Sequence, residues 1–309
     1  MSEDNEEVDD TSSSCCASCG IAEIDDVKLV PCDNCDLVRY CSDACQRDHK
    51  SEHEETCKKR AAELRDEMLF KQPESTHMGD CPICCLPIPL DKSKSTLQRC
   101  CSKFICYGCA FGTASREFEM RLQHSCPFCR TPEPTTEVEG VNRNMKRIEA
   151  NDPVAIFQEG ATQQQKGYYR SAFDYFTKAA ELGNTEAHFH LAVMYHNGEG
   201  VEQNKGKEIF HLEEATIGGQ PMARHNLAFN EWEKGNFERA VKHWIIAATL
   251  GFDESMKELM RAFKRGECSK DELASALRAH KAAADETKSP QRSKAEEYRR
   301  FRRNWLFGH

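Results

Sequence analysis

Small and apolar residues in the second half of the chain recur at helical spacing. Three copies of one pattern follow one another, first thirty-six and then thirty-two residues apart: Ala187, Leu191, Ala192; Ala223, Leu227, Ala228; and Ser255, Leu259, Met260. Each copy is preceded by a segment that closes on glycine, AAELG at 179–183, ATIGG at 215–219 and AATLG at 247–251. Small residues let paired helices approach closely, and a glycine with positive φ suits a helix stop. We predict a helix-turn-helix solenoid over residues 152–281.

The length of the repeat unit and the glycine-containing loop Gly198–Val201 indicate which repeat family this half resembles. It resembles Sel1-like repeats, which are relatives of tetratricopeptide repeats. The resemblance implies stacked units with a continuous core and a concave face for a protein partner. Most aromatic side chains of these helices are expected in the core: Phe173, Tyr175, Phe176, Phe189, Tyr195, Phe210, Phe229, Trp232, Phe237 and Trp244.

Cysteines are confined almost entirely to the first half. Of 18 cysteines, 17 lie between Cys15 and Cys129, and Cys268 stands alone. The chain opens with the acidic sequence MSEDNEEVDD rather than an apolar signal segment, which favours an intracellular protein. In a reducing compartment, closely paired cysteines are more often metal ligands than disulfides. Zinc is therefore the expected cofactor.

The first cysteine module, residues 15–57, contains four pairs of potential ligands at short spacing. The pairs are Cys16 and Cys19, Cys32 and Cys35, Cys41 and Cys45, and His53 and Cys57. Zinc takes four such ligands at tetrahedral corners, so this set fits two ions. The His53–Cys57 spacing places both side chains on one helix face.

This segment resembles a MYND zinc finger. The family's cross-braced pairing implies one zinc on Cys16, Cys19, Cys41 and Cys45, and a second on Cys32, Cys35, His53 and Cys57. MYND fingers commonly carry a tryptophan three residues before the ligand histidine, and here that position is Lys50. The finger is too small to fold by apolar burial alone, so zinc is expected to stabilise it.

The second cysteine module, residues 79–131, begins CPIC and ends CPFCR. Its order of cysteines resembles a RING finger. The resemblance implies one zinc on Cys81, Cys84, Cys106 and Cys109, while Cys101, Cys126 and Cys129 contribute to another.

The fourth ligand of that last site is left open by the sequence. The family expects a histidine two residues after its third cysteine, and counting from Cys101 this position is Lys103, whose ammonium group cannot bind a metal. Use of both Cys100 and Cys101, recruitment of His124 or Cys85, and an empty site all remain open. The module is expected to hold one or two zinc ions.

Three residues match the part of a RING that docks a ubiquitin-conjugating enzyme. They are Ile83, Pro127 and Arg130. In active family members the apolar residues contact the conjugating enzyme and the arginine steadies the tethered ubiquitin, which accelerates transfer by orientation. The other interpretation is a structural zinc module.

The remaining segments and the charge complete the prediction. We expect a disordered acidic arm at 1–14, a helical connector at 58–78, a linker at 132–151 and a basic tail at 282–309. The net charge of −9 makes nucleic acid an improbable partner. No apolar run reaches the roughly 18 residues of a membrane span, so we expect no membrane partner and a cytoplasmic or nuclear location.

The predicted fold class is multidomain, with two small cross-braced zinc fingers followed by an all-α solenoid. No nucleophile-base pair, phosphate loop or paired-carboxylate motif is evident, so no catalytic residue is assigned. The favoured function is a non-catalytic zinc-binding scaffold whose fingers and repeats bind proteins or peptides. The alternative is a RING-type ubiquitin ligase in which the repeats select the substrate.

Overall fold

The computed structural model describes residues 15–24 and 26–307, and the predicted acidic arm lies outside them. A cysteine-rich region with little regular structure precedes an array of helices, so the predicted fold class is confirmed. The chain divides between Lys71 and Gln72 into two compact units.

The first unit is built around two short strands and two helices. Strands β1 (Val30–Pro31) and β2 (Arg39–Tyr40) pair antiparallel. They lead into α1 (Asp43–Asp48) and the longer α2 (Lys50–Phe70). The core consists mainly of cysteine side chains with Leu29 and Tyr40. Little apolar surface is therefore available in this unit to balance the conformational entropy of folding.

In the second unit, the second cysteine module forms a hairpin followed by a helix. Strands β3 (Ser95–Gln98) and β4 (Lys103–Cys106) pair antiparallel, with Gln98 opposite Lys103. Helix α3 (Tyr107–Glu119) follows directly. This register places Cys100 and Cys101 in the turn of the hairpin and Cys106 at the end of β4.

Ten further helices follow in this unit. Their bounds are α4 (Glu137–Glu149), α5 (Pro153–Gln165), α6 (Tyr169–Glu181), α7 (Thr185–Asn197), α8 (Lys205–Ile217), α9 (Pro221–Glu233), α10 (Phe237–Thr249), α11 (Asp253–Arg265), α12 (Lys270–Glu286) and α13 (Pro290–Phe307). Helices α5 to α11 each pack on the next one, as the predicted solenoid requires. The three closing glycines have the predicted positive φ: 83° at Gly183, 80° at Gly219 and 87° at Gly251.

The repeat core contains the predicted small residues but not every predicted aromatic. Ala187, Ala223 and Leu259 are fully buried, as are Phe176 and Trp244. The prediction of a core position is wrong for three aromatics, which are exposed to 50%, 38% and 42%: Phe210, Phe229 and Phe237. In a stacked array each helix contacts only its neighbours, so part of each helix surface stays open to solvent.

The second cysteine module and the residues just before it contact the middle of the repeats. The backbone N–H of His77 donates to the carbonyl of Gly219 at 3.1 Å. The carboxylate of Glu186 lies 2.9 Å from Nε2 of His77 and 2.5 Å from Nζ of Lys92. His77 lies just before the module and Lys92 lies within it, so these contacts connect this part of the chain to the helical repeats.

Two helices outside the repeats also contact this module. Arg147 of α4 donates to the hydroxyl of Ser102 at 2.8 Å and to the carbonyl of Cys100 at 3.3 Å, both in the hairpin turn. Helix α13 packs along α3, with the rings of Phe111 and Tyr298 4.9 Å apart. Within the described residues, no helix combines the length and apolar character needed to cross a membrane.

Candidate metal centres

The first cluster joins three parts of the finger. Cys16 and Cys19 flank a turn, Cys41 follows β2, and Cys45 lies in α1, where the hydroxyl of Ser42 caps the helix. The sulfur atoms of Cys19 and Cys45 each lie 3.6 Å from that of Cys41. A disulfide would bring two sulfurs to roughly 2.05 Å. Tetrahedral zinc with bonds of roughly 2.3 Å holds its sulfurs roughly 3.8 Å apart, so the spacing fits zinc.

The second cluster adds a histidine to three cysteines. Cys32 and Cys57 are 3.8 Å apart between sulfur atoms, and Nε2 of His53 lies 3.1 Å from Sγ of Cys35. One turn of α2 separates His53 from Cys57, as the spacing predicts. All four ligand atoms lie within 4.8 Å of one another.

The tautomer of His53 follows from a neighbouring hydroxyl. The Thr56 hydroxyl donates to the backbone carbonyl of His53 at 2.9 Å and lies 3.1 Å from its Nδ1. Because its single proton is used on the carbonyl, the hydroxyl accepts from Nδ1–H. Nε2 is then unprotonated and free to bind a metal ion beside Cys35.

Two further potential ligands of the first module lie outside both clusters. Nδ1 of His49 is 3.1 Å from the hydroxyl of Tyr40, which gives this imidazole a structural partner. Cys15 forms an isolated bridge with Ala22 through its backbone. Neither residue belongs to the tetrads.

The third cluster is formed by Cys81, Cys84, Cys106 and Cys109. The sulfur atoms of Cys84 and Cys106 lie 3.8 Å apart. The backbone N–H of Cys106 points to Sγ of Cys81 at 3.4 Å, a bond that favours the thiolate form. Cys81, Cys106 and Cys109 are almost completely buried.

The fourth cluster contains both adjacent cysteines. Sγ of Cys100 lies 3.3 Å from that of Cys129, and Sγ of Cys101 lies 3.8 Å from that of Cys126. The turn brings both thiols to one place because Ser102 adopts a left-handed conformation with φ of 53°. The ligand set predicted from the sequence lacked Cys100, and the doublet Cys100–Cys101 was the signal for it.

The other residues considered for this cluster lie elsewhere. Nδ1 of His124 is 3.2 Å from the carboxylate of Glu117. Cys85 is exposed, and Lys103 begins β4 on the exposed side. Of the alternatives left open by the sequence, the geometry matches the use of Cys100 together with Cys101.

In three of the clusters, one cysteine has a pKa below the ordinary value of a thiol. Burial raises the pKa of Cys16, but hydrogen bonds from the backbone of Cys19 and Cys41 outweigh it and lower the pKa to about 6. Burial also raises the pKa of Cys81 and of Cys129, but hydrogen bonds outweigh it: the backbone of Cys106 leads those that lower the pKa of Cys81 to about 7, and the Thr131 hydroxyl leads those that lower that of Cys129 to about 6. Zinc binds thiolates, so these donors reduce the cost of deprotonation on binding.

The three residues predicted to contact a conjugating enzyme lie around two adjoining grooves. Ile83, which is 41% exposed, and Arg130 line one groove with a volume of about 600 Å³. Pro127 lines the neighbouring groove, and Thr113 and Glu117 border both. The structure therefore places Ile83 and Arg130 on one surface, with Pro127 beside it.

Two parts of the chain match models of known protein families. The family model for the MYND finger matches residues 16–57, and that for the Sel1 repeat matches residues 158–184, 185–215 and 221–252. The chain contains a MYND finger and Sel1 repeats. The MYND match covers the first two clusters, and the Sel1 matches cover helices from α5 to α10.

One characterised protein is similar to part of the chain. Chitin synthase regulatory factor 4 of Schizosaccharomyces pombe is 30% identical over 91 residues, which are 29% of this chain and 14% of that protein. The chain thus matches only a small part of this relative's length.

Two solved structures are similar to part of the chain. A Sel1 repeat protein of Oxalobacter formigenes is 23% identical, covering 47% of this chain and 64% of that one with a TM-score of 0.41. A protective antigen of uropathogenic Escherichia coli with an SLR fold is 26% identical, covering 48% of this chain and 33% of that one with a TM-score of 0.40.

The MYND finger and the Sel1 repeats are both protein-interaction modules. Together with the cysteine and histidine clusters, they support zinc as the cofactor and proteins as partners.

Proposed function

We propose that this protein is a zinc-dependent adaptor that joins two protein partners, one bound by the MYND finger and one by the Sel1 repeats. The observation that carries the proposal is the set of four ligand tetrads, each with its ligand atoms within 4.8 Å of one another. They lie in the same chain as a helical array with open faces. No bond chemistry by side chains is assigned to it.

The proposed complement is four zinc ions, two in the MYND finger and two in the second module. Bound zinc supplies a rigid tetrahedral link between chain segments that have too little apolar surface to hold together. Because such thiol clusters persist in a reducing compartment, we place the adaptor in the cytoplasm or nucleus.

The proposed parts keep the boundaries inferred from the sequence. The finger spans 15–57, the connector 58–78, the second module 79–131, the linker 132–151 and the repeats 152–281. The structure adds helical order to the segments on either side of the repeats, since α4 lies within the linker and α13 within the basic tail.

A groove between α7, α8 and α9 is the proposed partner site of the repeats. It has a volume of about 290 Å³ and is lined by Val193, His196, Asn226 and Phe229, among others. Phe229 is 38% exposed, and it offers apolar surface beside the amide of Asn226. A groove with an apolar wall and polar side chains suits a peptide segment of a partner.

The name of the yeast relative describes a regulatory factor of chitin synthase.

Native mass spectrometry of the full chain tests the zinc complement. We expect a mass excess of four zinc ions under non-denaturing conditions, which disappears on acidic denaturation. Cys45→Ser and Cys109→Ser should each lower the count, while Cys268→Ser, which lies in the repeat core, should retain four ions. A wild-type protein without bound zinc would overturn the proposal.

Proximity labelling in cells tests the adaptor role. Cys57→Ser disables the finger, and Phe229→Ser alters the repeat groove. Leu277→Ser, which changes another exposed apolar residue in α12, is the control. An adaptor should lose one group of neighbours with the first variant and a different group with the second. Loss of the same neighbours in both, or of none in either, would argue against two separate partner sites.

A RING-type ubiquitin ligase is the second candidate. The observation that favours it is the position of Ile83 and Arg130 around one groove, with Pro127 beside it. The test is discharge of ubiquitin from a panel of charged conjugating enzymes by the zinc-loaded full chain. Discharge that is lost in both Ile83→Ala and Arg130→Ala would establish the ligase, and absence of discharge across the panel would leave the second module as a structural part of the adaptor.

A further inference from the structure

A side chain from the far end of the chain lies against the third metal cluster. The guanidinium of Arg292 in α13 donates to Sγ of Cys84 at 3.4 Å, across 208 residues of sequence. It also donates to the carbonyl of Pro87 at 2.7 Å and to that of Leu86 at 3.1 Å. One arginine thus contacts a ligand sulfur and the loop that follows it.

Close packing of two helices holds Arg292 in this position. A Cβ placed on Gly108 of α3 would lie 2.8 Å from Cγ and 3.0 Å from Cα of Arg292. One turn further along, a Cβ on Gly112 would lie 2.4 Å from the side-chain amide of Gln291. The absence of a side chain at Gly108 is what lets the backbone of α13 approach α3, whereas Gly112 faces only the side chain of Gln291.

The charge of the cluster explains why a guanidinium suits this place. Four thiolates around one divalent zinc leave a net charge of about −2 on the site. Donors to ligand sulfurs stabilise that charge, and residues that orient ligands tune metal affinity. The forked guanidinium can do both at once, because one end reaches the sulfur of Cys84 while the other holds the carbonyl of Pro87.

We propose that Arg292 is an outer-shell residue of the third zinc site, and that zinc binding there and docking of α13 on α3 stabilise each other. The inference rests on the proposed presence of zinc in this cluster. By linkage, any free energy that α13 contributes to zinc binding is returned as tighter docking of α13 when zinc is bound. Loss of this ion then releases the C-terminal helix and uncovers the face of α3 that contains Gly108 and Gly112.

Alkylation of cysteines followed by peptide mapping tests the effect on the metal, because zinc protects its ligand thiols. The full chain is treated with a chelator and a thiol reagent, and modification is followed separately for each cluster. In Arg292→Met we expect alkylation of Cys81, Cys84, Cys106 and Cys109 to be about ten-fold faster or more, with the MYND thiols unchanged. Arg300→Met, which removes an exposed arginine of the same helix, is the matched control.

A steric variant addresses the same contact without changing Arg292. Gly108→Ala should displace α13, because the added methyl group meets the backbone of Arg292. Gly112→Ala is its control, since the added methyl group meets only the end of the flexible Gln291 side chain. We expect Gly108→Ala to accelerate alkylation of the third cluster and Gly112→Ala to leave it near the wild-type rate.

Hydrogen exchange of α13 tests the reciprocal effect. Removal of zinc from the wild type should increase exchange in residues 290–302, and Arg292→Met should show the increase before zinc is removed. If wild type lacks zinc in the third cluster by native mass spectrometry, both this inference and the four-zinc proposal fail. If the cluster is filled but wild type and Arg292→Met alkylate at the same rate, this inference alone is overturned.

Discussion

The carboxylate of Glu186 lies against the imidazole of His77, with Oε2 2.9 Å from Nε2. The pair is largely shielded from solvent, and it joins the segment before the second cysteine module to helix α7 of the repeats. Burial alone would raise the pKa of Glu186, but His77 and Lys92 hold it well below its usual value. The docking of module and repeats therefore depends on a charged carboxylate.

Removal of this charge should loosen the docking. We expect Glu186→Gln to lower the free energy of unfolding by about 1–3 kcal/mol, because His77 and Lys92 lose their common partner. The measurement is chemical denaturation of the zinc-loaded chain at neutral pH. Glu238→Gln, which removes an exposed carboxylate paired with Lys242, should change little.

The lowered pKa of Glu186 predicts how stability depends on pH. A carboxyl whose pKa is lower in the folded state stabilises the protein above its unfolded pKa, and the contribution is lost as pH falls toward the folded value. The difference in stability between wild type and Glu186→Gln should therefore shrink below the ordinary pKa of 4.5. Glu238→Gln contains the same metal clusters, so comparison with it separates this effect from loss of zinc in acid. A difference that grows as the pH falls below 4.5 would contradict the assignment.

The hydroxyl of Thr56 should matter for zinc in the MYND finger. Thr56→Val keeps the shape of the side chain but removes the acceptor for Nδ1–H of His53. We expect zinc affinity at the second cluster to fall about ten-fold, as measured by competition with a chromophoric chelator. Thr56→Ser retains the hydroxyl and should bind zinc almost as wild type does. Equal affinity in Thr56→Val and wild type would show that this hydroxyl does not orient the ligand.

The adjacent cysteines of the hairpin turn should both be needed for the fourth zinc. We expect Cys100→Ser and Cys101→Ser each to reduce the zinc count in native mass spectra or to make that ion removable by a weak chelator. Cys85→Ser, an exposed thiol of the same module, is the control and should retain the full count. If only Cys101→Ser loses zinc, Cys100 is not a ligand.

A closing glycine should be required where the module meets the repeats. Gly219 has a φ of 80°, and an added Cβ would lie 2.9 Å from the carbonyl oxygen of Ser75. We expect Gly219→Ala to lower the free energy of unfolding by about 1–3 kcal/mol, since strain and clash act together. Gly206→Ala in helix α8 has no such φ and meets only the side chain of Asn204 at 3.4 Å, so it should be neutral or stabilising.

Local spacing in the sequence was sufficient for much of this architecture. Pairs such as Cys32 and Cys35 lie on one turn, and His53 and Cys57 lie on one helical face, so each pair meets through local backbone geometry alone. The positive φ of Gly183 follows in the same way from its place at the end of a helix. That both Cys100 and Cys101 belong to the fourth cluster could not be predicted locally, because it depends on the register of β3 and β4 and on the conformation of Ser102.

The sequence by itself determined the ligand types, the order of their pairs and the repeat of the helices, because each of these depends on residues close together along the chain. Only the tertiary structure decided that Phe210 and Phe229 face solvent, that Glu186 meets His77, and that Arg292 reaches the third cluster. Such contacts join segments far apart in sequence, and they leave no periodic pattern or fixed spacing from which they could be predicted.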